Sequence, residues 1–214
     1  MKILVCISHV PDTTSKINFT ENNSKFDENG VQFVINPNDE FGLTRAMWFK
    51  EKQGASVDVI NVGLADTEPT LRKALAIGAD KAIRINSDPK NGLNVAKQIA
   101  YIVSSESYDL VIGGRESIDY NGGMVPGMIA GLVNYNFVDK CISLEINNDS
   151  ITAAREIEEG KEIIESKLPL VIAGQKGLVE ESDLRIPNMR GIMMARRKEL
   201  QVINAIDEDN STCT

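Results

Sequence analysis

The sequence is poor in the residues that most often bind metal ions or act as nucleophiles. Among its 214 residues there is one histidine, His9, and there are three cysteines, Cys6, Cys141 and Cys213. The cysteines are odd in number and lack the close spacing typical of zinc sites, so we expect neither a disulfide framework nor a metal centre. Reduced thiols are typical of the cytoplasm, where we expect the protein to reside.

Long apolar runs and excess positive charge are also missing. No segment reaches the roughly 18 consecutive apolar residues that a membrane-spanning helix needs, and the apolar start of the chain leads into His9 without a signal-peptide cleavage site. The 31 acidic residues outnumber the 23 basic ones, giving a net charge of −8. This balance argues against nucleic acid as the main partner.

Apolar runs typical of buried strands alternate with helical patterns over the first two thirds of the chain. The predicted strands are 3–7, 31–35, 57–62, 82–85 and 108–112, and the predicted helices are 36–52, 67–77, one around 95–103 and one beginning near residue 124. This alternation predicts a three-layer α/β/α, Rossmann-like fold with a mostly parallel sheet.

The pattern changes after residue 137. Partial alternation at 142–146, 151–155 and 162–166, separated by Asn- and Gly-rich turns, predicts antiparallel strands added to the sheet. From residue 175 onward we expect a C-terminal arm with a short basic helix at 192–198 and a disordered acidic tail. The predicted division is therefore a nucleotide-binding domain at 1–174 and an arm at 175–214 that packs on a partner chain.

Three loops should meet at the carboxyl end of the parallel sheet, where open α/β sheets bind their ligands. These are residues 8–12, 61–64 and 113–125. The third combines Gly113 and Gly114 with the charged Arg115 and Asp119, and it leads into a helix whose free N–H groups suit a phosphate. The alternative is that the glycines only turn a tight loop.

Five sequence blocks, in the same order, resemble the electron transfer flavoprotein β-subunit family. The most specific is 153–173, AAREIEEGKEIIESKLPLVIA, and the others are NPNDE at 36–40, TLRKALAIGAD at 70–80, GRESID at 114–119 and RIPNMRGIMMARRK at 185–198. The resemblance covers most of the chain. The block at 36–40 is similar to the family's Asn-Pro-x-x-Glu helix start, and the block at 114–119 is similar to its G-[KR]-x-[AS]-x-D turn. The resemblance implies a fold like that of adenine nucleotide α-hydrolases.

The resemblance implies an electron carrier without its own substrate turnover, and no catalytic residue. Family members pair with a larger α subunit that holds most of an FAD, and ordinary members also hold a structural AMP. They pass electrons from flavin dehydrogenases of the acyl-CoA dehydrogenase type, in fatty acid oxidation, to an acceptor such as a quinone oxidoreductase. Carried over by position, the nucleotide would contact Cys6, Asn36, Pro37, Asn38, Asp39, Val62, Gly114, Arg115, Glu116, Ser117, Ile118, Asp119, Tyr120, Asn121, Gly122, Gly123, Met124 and Val125.

The chain departs from the family pattern where ordinary members place Asn-Gln-Thr and this sequence has Gly123, Met124 and Val125. Electron-bifurcating members bind a second FAD at this position with yet another loop sequence. AMP, a second FAD and an empty or altered site therefore stay open. Outside the family, the alternatives are a universal-stress-type nucleotide-binding module and a nucleotide-dependent ligase or hydrolase, against which the missing SGGxDS-like loop argues.

The resemblance also implies a docking segment for redox partners. Met189 stands where the family carries an exposed Leu that anchors dehydrogenases, and Arg190 replaces the Pro that follows it. The neighbouring Arg196, Arg197 and Lys198 are expected to orient an acidic partner face. His9 has two open interpretations, a residue that faces the flavin and a solvated loop residue.

Overall fold

A nine-stranded sheet forms the centre of the protein. The structure, a computed structural model, describes residues 1–148 and 150–206. Its strands are β1 (Lys2–Cys6), β2 (His9–Pro11), β3 (Phe19–Thr20), β4 (Lys25–Phe26), β5 (Phe33–Ile35), β6 (Ser56–Val62), β7 (Lys81–Asn86), β8 (Leu110–Gly114), β9 (Asn136–Asn147), β10 (Ser150–Ile157), β11 (Gly160–Lys167), β12 (Leu170–Gly174) and β13 (Leu200–Asn204). In the main sheet they follow the order β11-β10-β9-β12-β8-β1-β6-β7-β13.

Five α-helices accompany these strands in the part of the chain that the structure describes. They are α1 (Pro37–Gln53), α2 (Glu68–Ile77), α3 (Gly92–Glu106), α4 (Val125–Val133) and α5 (Met189–Ala195). The ends of α1 follow from its sequence: proline at the first position lacks the N–H that would be unpaired there, and Gly54 ends the helix with a φ of 69°. The helices predicted from the sequence are confirmed to within a few residues, except the last.

Helices cover both faces of the parallel strands. One apolar cluster joins one face of the sheet to α1 and α2, through residues such as Leu43, Phe49 and Leu71. A second cluster joins the other face to α3 and α4, through residues such as Ile99 and Ile129. The three-layer α/β/α architecture with a mostly parallel sheet is therefore confirmed.

The strand order reverses between β1 and β8. The chain runs outward from β1 to β6 and β7 on one side, then returns to place β8 against the other side of β1. A reversal of this kind leaves a crevice between the loops that follow the two neighbouring strands. The loops after β1 and β8 are two of the three that the sequence brings to this edge.

The antiparallel addition is confirmed. β9, β10 and β11 pair antiparallel in sequence order, joined by turns at Asn148, whose φ is 56°, and Gly160, whose φ is 148°. β9 also pairs parallel with β12, and its register shifts near residues 139–142 against both neighbours. This β-bulge lies directly beside the carboxyl end of β12.

The C-terminal segment differs from the expectation. We expected residues after 175 to pack on a partner and not on their own domain. The described residues do pack on their own domain, so that part of the expectation is wrong, while packing on a partner stays a prediction. α5 packs against α2, and β13 pairs parallel with β7 as an edge strand of the main sheet. The helix spans Met189–Ala195 and not 192–198. The predicted disordered tail lies outside the described residues, and the division at 174/175 stays a prediction.

No helix within residues 1–148 and 150–206 has the length and apolar character that crossing a membrane requires.

Candidate functional site

The carboxylate of Asp39 joins the two strands at which the strand order reverses. Its Oδ2 accepts a hydrogen bond from the Ser8 backbone N–H at 2.7 Å, just beyond β1. Its Oδ1 accepts from the Gly114 N–H at 2.8 Å, at the end of β8. One buried side chain in the first turn of α1 therefore fixes the position of both loops that border the crevice.

Burial dominates the titration of this carboxyl group. Desolvation raises the pKa of Asp39 from its ordinary value of 3.8 to about 6, although the N–H groups of Ser8 and Gly114 act in the opposite direction by stabilising the anion. The group is therefore ionised at neutral pH and acts as an acceptor only. Both of its oxygens accept hydrogen bonds from backbone N–H groups, so the side chain holds the backbone of the two loops.

Two asparagines at the start of α1 hold the loop that follows β8. The side-chain amides of Asn36 and Asn38 donate to the Glu116 carbonyl oxygen at 2.9 and 3.0 Å. The Asn36 Oδ1 accepts from the Ile118 N–H at 3.2 Å. Asn36 does precede the helix, but its side chain makes no capping bond to α1. The segment 36–39 therefore organises the loop 114–118 through tertiary contacts.

The paired glycines at the end of β8 are required for close packing. A side chain at Gly114 would place its Cβ 2.9 Å from the Asn38 Cβ and on top of the Asp39 carboxylate. A Cβ at Gly113 would lie 3.0 Å from the Pro126 ring. These separations are shorter than ordinary van der Waals contact. The interpretation that these two glycines only turn the chain is therefore insufficient.

Free backbone donors lie where the loop enters α4. Among the described residues, no group accepts a hydrogen bond from the N–H groups of residues 122–125. Pro126 at the second helical position has no N–H, so the series of free N–H groups ends at residue 125. Consecutive free N–H groups at a helix start suit a phosphate. The backbone present therefore fits a phosphate group, with fewer donors than a helix start without proline.

A cavity of about 320 Å³ lies on the β12 side of this loop. The residues that line it are Arg115, Glu116, Asn121, Gly123, Asp139, Lys140 and Ala173. Arg115 is held in place, since its guanidinium donates to Gln175 Oε1 at 3.2 Å and to Glu116 Oε1 at 2.9 Å. Sequence reasoning missed Asp139 and Lys140, which line this cavity at the bulge in β9.

The remaining residues of the predicted nucleotide set lie along the same edge. Cys6 ends β1 half-buried, and burial raises the pKa of its thiol, so it is not a reactive thiolate. Val62 ends β6 and is buried. In the loop after β8, the Asp119 carboxylate accepts a hydrogen bond from the Tyr120 N–H at 2.9 Å. Tyr120 itself is 87% exposed. Pro37 is the first residue of α1 and Ser117 lies in the loop held by Asn36.

Buried polar residues in β6 and β7 also shape this edge. The Asn61 amide donates to the Ile7 carbonyl oxygen at 2.8 Å, which ties β6 to the end of β1. Arg84 is buried and donates to the Gly63 carbonyl oxygen at 3.0 Å and to Asn86 Oδ1 at 2.7 Å. Asn61 lies in a predicted loop, but Arg84 was missed. The sequence feature that could have identified Arg84 is a charged residue inside an otherwise apolar strand.

His9 is neither fully solvated nor free. Its ring stacks on Phe33 with a centroid distance of 4.3 Å, and its Nδ1 lies 2.8 Å from the Thr70 hydroxyl. Desolvation lowers the pKa of the imidazole, so the ring is neutral at pH 7. Within the described residues these contacts account for its orientation, and they join the loop after β1 to α2.

The residues predicted to dock a partner fall into two groups. Met189 begins α5 with 75% of its surface exposed, and Met193 lies in the same helix, 66% exposed. Arg196 and Arg197 are exposed as well. Lys198 is engaged within its own domain, because its ammonium donates to the carbonyl oxygens of Leu75 and Ala79 at 3.0 and 2.5 Å.

Comparisons with known proteins agree on one family. The model of the electron transfer flavoprotein domain matches residues 24–208. The electron transfer flavoprotein subunit beta of Bacillus subtilis is 32% identical over 213 residues, covering 98% of this chain and 81% of that protein. The subunit of the same name from Thermoanaerobacterium thermosaccharolyticum is 34% identical, covering 97% of this chain and 80% of its own length. The one from Dictyostelium discoideum is 32% identical over 204 residues.

Proposed function

Because the chain belongs to the electron transfer flavoprotein β-subunit family, we propose that it is one half of a heterodimeric electron carrier. Its partner in this proposal is a larger α subunit, and the two chains share an FAD. The complex accepts electrons from flavin dehydrogenases of the acyl-CoA dehydrogenase type. It passes them to a downstream acceptor such as a quinone oxidoreductase.

The observation that carries this proposal is the network around Asp39. The same segment that resembles the family's helix start holds the ends of β1 and β8 and the loop at 114–118. These contacts span 31 to 80 residues of sequence. A rigid crevice at the reversal of strand order is the usual ligand position in such sheets.

We propose that this crevice binds an adenine nucleotide, AMP in the ordinary members of the family. The residues that would hold it are those carried over from the resemblance, from Cys6 and Val62 on the strand ends to the loop 114–125. The phosphate would accept from the free N–H groups of residues 122–125, because the polar side chains of ordinary members are replaced here by Gly123, Met124 and Val125.

The β chain contributes position and not bond-making chemistry in this proposal. A bound flavin supplies the capacity to take up and release electrons. The residues of this chain form a rigid surface beside it and exclude water from the crevice. Met189, Arg196 and Arg197 are proposed to contact the redox partner. Lys198 was predicted with them, but its ammonium bonds to α2 favour a supporting role.

A second candidate function is the β subunit of an electron-bifurcating flavoprotein, with a second FAD in place of AMP. The observation that favours it is the cavity beside the phosphate loop, which is roomier than a single phosphate needs. The two candidates share the fold, the α subunit and the first FAD, and they differ in the identity of the nucleotide.

The nucleotide site is tested by Gly123→Asp, which places a carboxylate beside the proposed phosphate. Purified protein should contain clearly less adenine nucleotide than the wild type, measured by chromatography of the acid-released ligand. Gly123→Ala is the matched control, because its Cβ meets the Arg115 carbonyl oxygen at the same 3.0 Å but brings no charge. Full nucleotide content in Gly123→Asp would place the site elsewhere.

A further inference from the structure

Three of the seven methionines in the sequence lie in α5, and all three are exposed. The exposed fractions of Met189, Met193 and Met194 are 75%, 66% and 50%. Met47 in the core is 3% exposed. A thioether on the surface can be reached by small oxidants in solution, whereas a buried one is shielded by its neighbours. The helix therefore concentrates oxidisable sulfur atoms on one small area of the surface.

The position of α5 depends on groups other than these thioethers. The Asn188 side chain caps the helix by accepting from the Gly191 N–H at 2.7 Å. Arg72 of α2 donates to the Ala195 carbonyl oxygen at 2.8 Å. The backbone at Gly191 lies so close to the Ala76 carbonyl group that a Cβ there would overlap with it. A chemical change at the exposed methionines should therefore alter the surface of α5 and leave the helix in place.

Oxidation changes the methionine side chain from an apolar group to a polar one. In the reaction R–S–CH₃ + H₂O₂ → R–S(=O)–CH₃ + H₂O, the sulfur is oxidised by two electrons and the peroxide is reduced. The O–O bond of the peroxide breaks, one oxygen atom forms the S=O bond, and the other leaves as water with both hydrogens. The sulfoxide disrupts Met-rich interfaces, and methionine sulfoxide reductases convert it back to the thioether.

We propose that Met189, Met193 and Met194 form a modification site at which hydrogen peroxide oxidises the thioethers, and that this oxidation prevents docking of the redox partner. The inference rests on the proposed docking role of Met189 and extends it to regulation of the same surface. A sulfoxide that enters an apolar pocket must give up its hydrogen bonds to water, which costs free energy. Electron transfer should therefore slow after oxidation and recover after reduction of the sulfoxide.

The modification itself is tested by peptide mass spectrometry of the purified full-length chain after timed exposure to hydrogen peroxide. We expect the three methionines of α5 to be oxidised at least about tenfold faster than Met47. The midpoint of thermal unfolding should stay the same, because the contacts that hold α5 do not involve the thioethers. Equal oxidation rates for Met47 and α5 would refute the site, and a lowered midpoint would contradict the separation between surface and fold.

The consequence is tested by electron transfer from an acyl-CoA dehydrogenase to the complex with the α subunit, before and after peroxide treatment. At limiting partner concentration we expect the rate of the wild type to fall at least about fivefold and to be restored by methionine sulfoxide reductase. The matched variant carries Met189→Leu, Met193→Leu and Met194→Leu, which keep an apolar surface without oxidisable sulfur. Its rate should fall by less than about twofold relative to its own untreated sample.

The outcomes distinguish this inference from the function on which it rests. If peroxide oxidises α5 but does not slow the wild type, or if it slows the leucine variant equally, the regulation is refuted and the docking role stands. If the untreated wild-type complex accepts no electrons, the proposed function and the regulation are both refuted.

Discussion

Asp39 is the residue on which the geometry of the crevice depends most. Both carboxylate oxygens are used, one for each of the strands that meet there. The side chain is only 2% exposed, so water is poorly placed to replace a lost acceptor. An unpaired buried N–H costs about 1–3 kcal/mol, which makes this contact more consequential than a surface hydrogen bond.

Asp39→Asn should lower the free energy of unfolding by about 2 kcal/mol, because the amide NH₂ faces a backbone N–H and cannot accept from it. Urea denaturation followed by circular dichroism measures the change. Asp119→Asn is the matched control, since Asp119 lies in an exposed part of the loop and should lose little stability. An unfolding free energy unchanged in Asp39→Asn would show that the carboxylate does not hold the strands.

Because the pKa of Asp39 is raised, the difference in unfolding free energy between the wild type and Asp39→Asn should depend on pH. Between pH 3.8 and about 6 the native carboxyl binds a proton that the unfolded chain has released, so stability falls as the pH rises through this range. The advantage of the wild type over Asp39→Asn should therefore be larger at pH 4 than at pH 7 and constant above about pH 7. A constant difference throughout would contradict the burial argument.

The sequence predicted which residues line the crevice better than it predicted what they do. Asn directly before a proline-initiated helix is typically a helix cap, but the Asn36 side chain bonds to the loop after β8 instead. Its actual partners, Glu116 and Ile118, lie 80 and 82 positions away in the sequence, and local patterns do not report such contacts. Lys140 was missed because alternation along β9 does not reveal a bulge that shifts the register.

At the scale of elements, the segment after β12 returns to its own domain. Arg72 of α2 donates to the carbonyl oxygens of Ala195 and Lys198, each at 2.8 Å. Lys198 in turn donates to two carbonyl oxygens at the end of α2. These reciprocal bonds hold α5 in place and direct the chain into β13. A cation at a helix C-terminus also interacts favourably with the helix dipole.

Lys198→Met should lower the free energy of unfolding by about 1 kcal/mol, because the carbonyl oxygens of Leu75 and Ala79 lose their donor. Arg197→Met is the matched control, since Arg197 is exposed and its removal should have little effect. Thermal unfolding of the two variants side by side measures the difference. Equal midpoints would mean that Lys198 is not a structural cap and would return it to the docking group.

The sequence did not predict β13, because this strand lies at the edge of the sheet. It is a five-residue edge strand with three exposed residues, so its hydrophobic pattern is weak. The central strands were found because they are buried on both faces and read as continuous apolar runs. The antiparallel strands were found through their turn residues, which need particular backbone angles.

At the scale of the whole molecule, the proposed docking surface is distinct from the crevice. Met189→Ala should leave the FAD content and stability of the complex unchanged and slow electron transfer from a cognate dehydrogenase, since a buried anchor contributes about 2 kcal/mol or more to such an interface. Leu132→Ala, an exposed residue of α4, is the control. Turnover unchanged at limiting partner concentration would exclude Met189 and leave Arg196 and Arg197 as candidates.

The central claim is that this chain completes a flavin-containing heterodimer and does not act as an isolated nucleotide-binding module. The most direct measurement is co-expression with the α subunit, purification of the complex, and quantification of the released cofactors. We predict a yellow one-to-one complex that holds one FAD together with one adenine nucleotide, or two FAD if the second candidate function is correct. A colourless chain that binds nucleotide and purifies without the α subunit would contradict the claim.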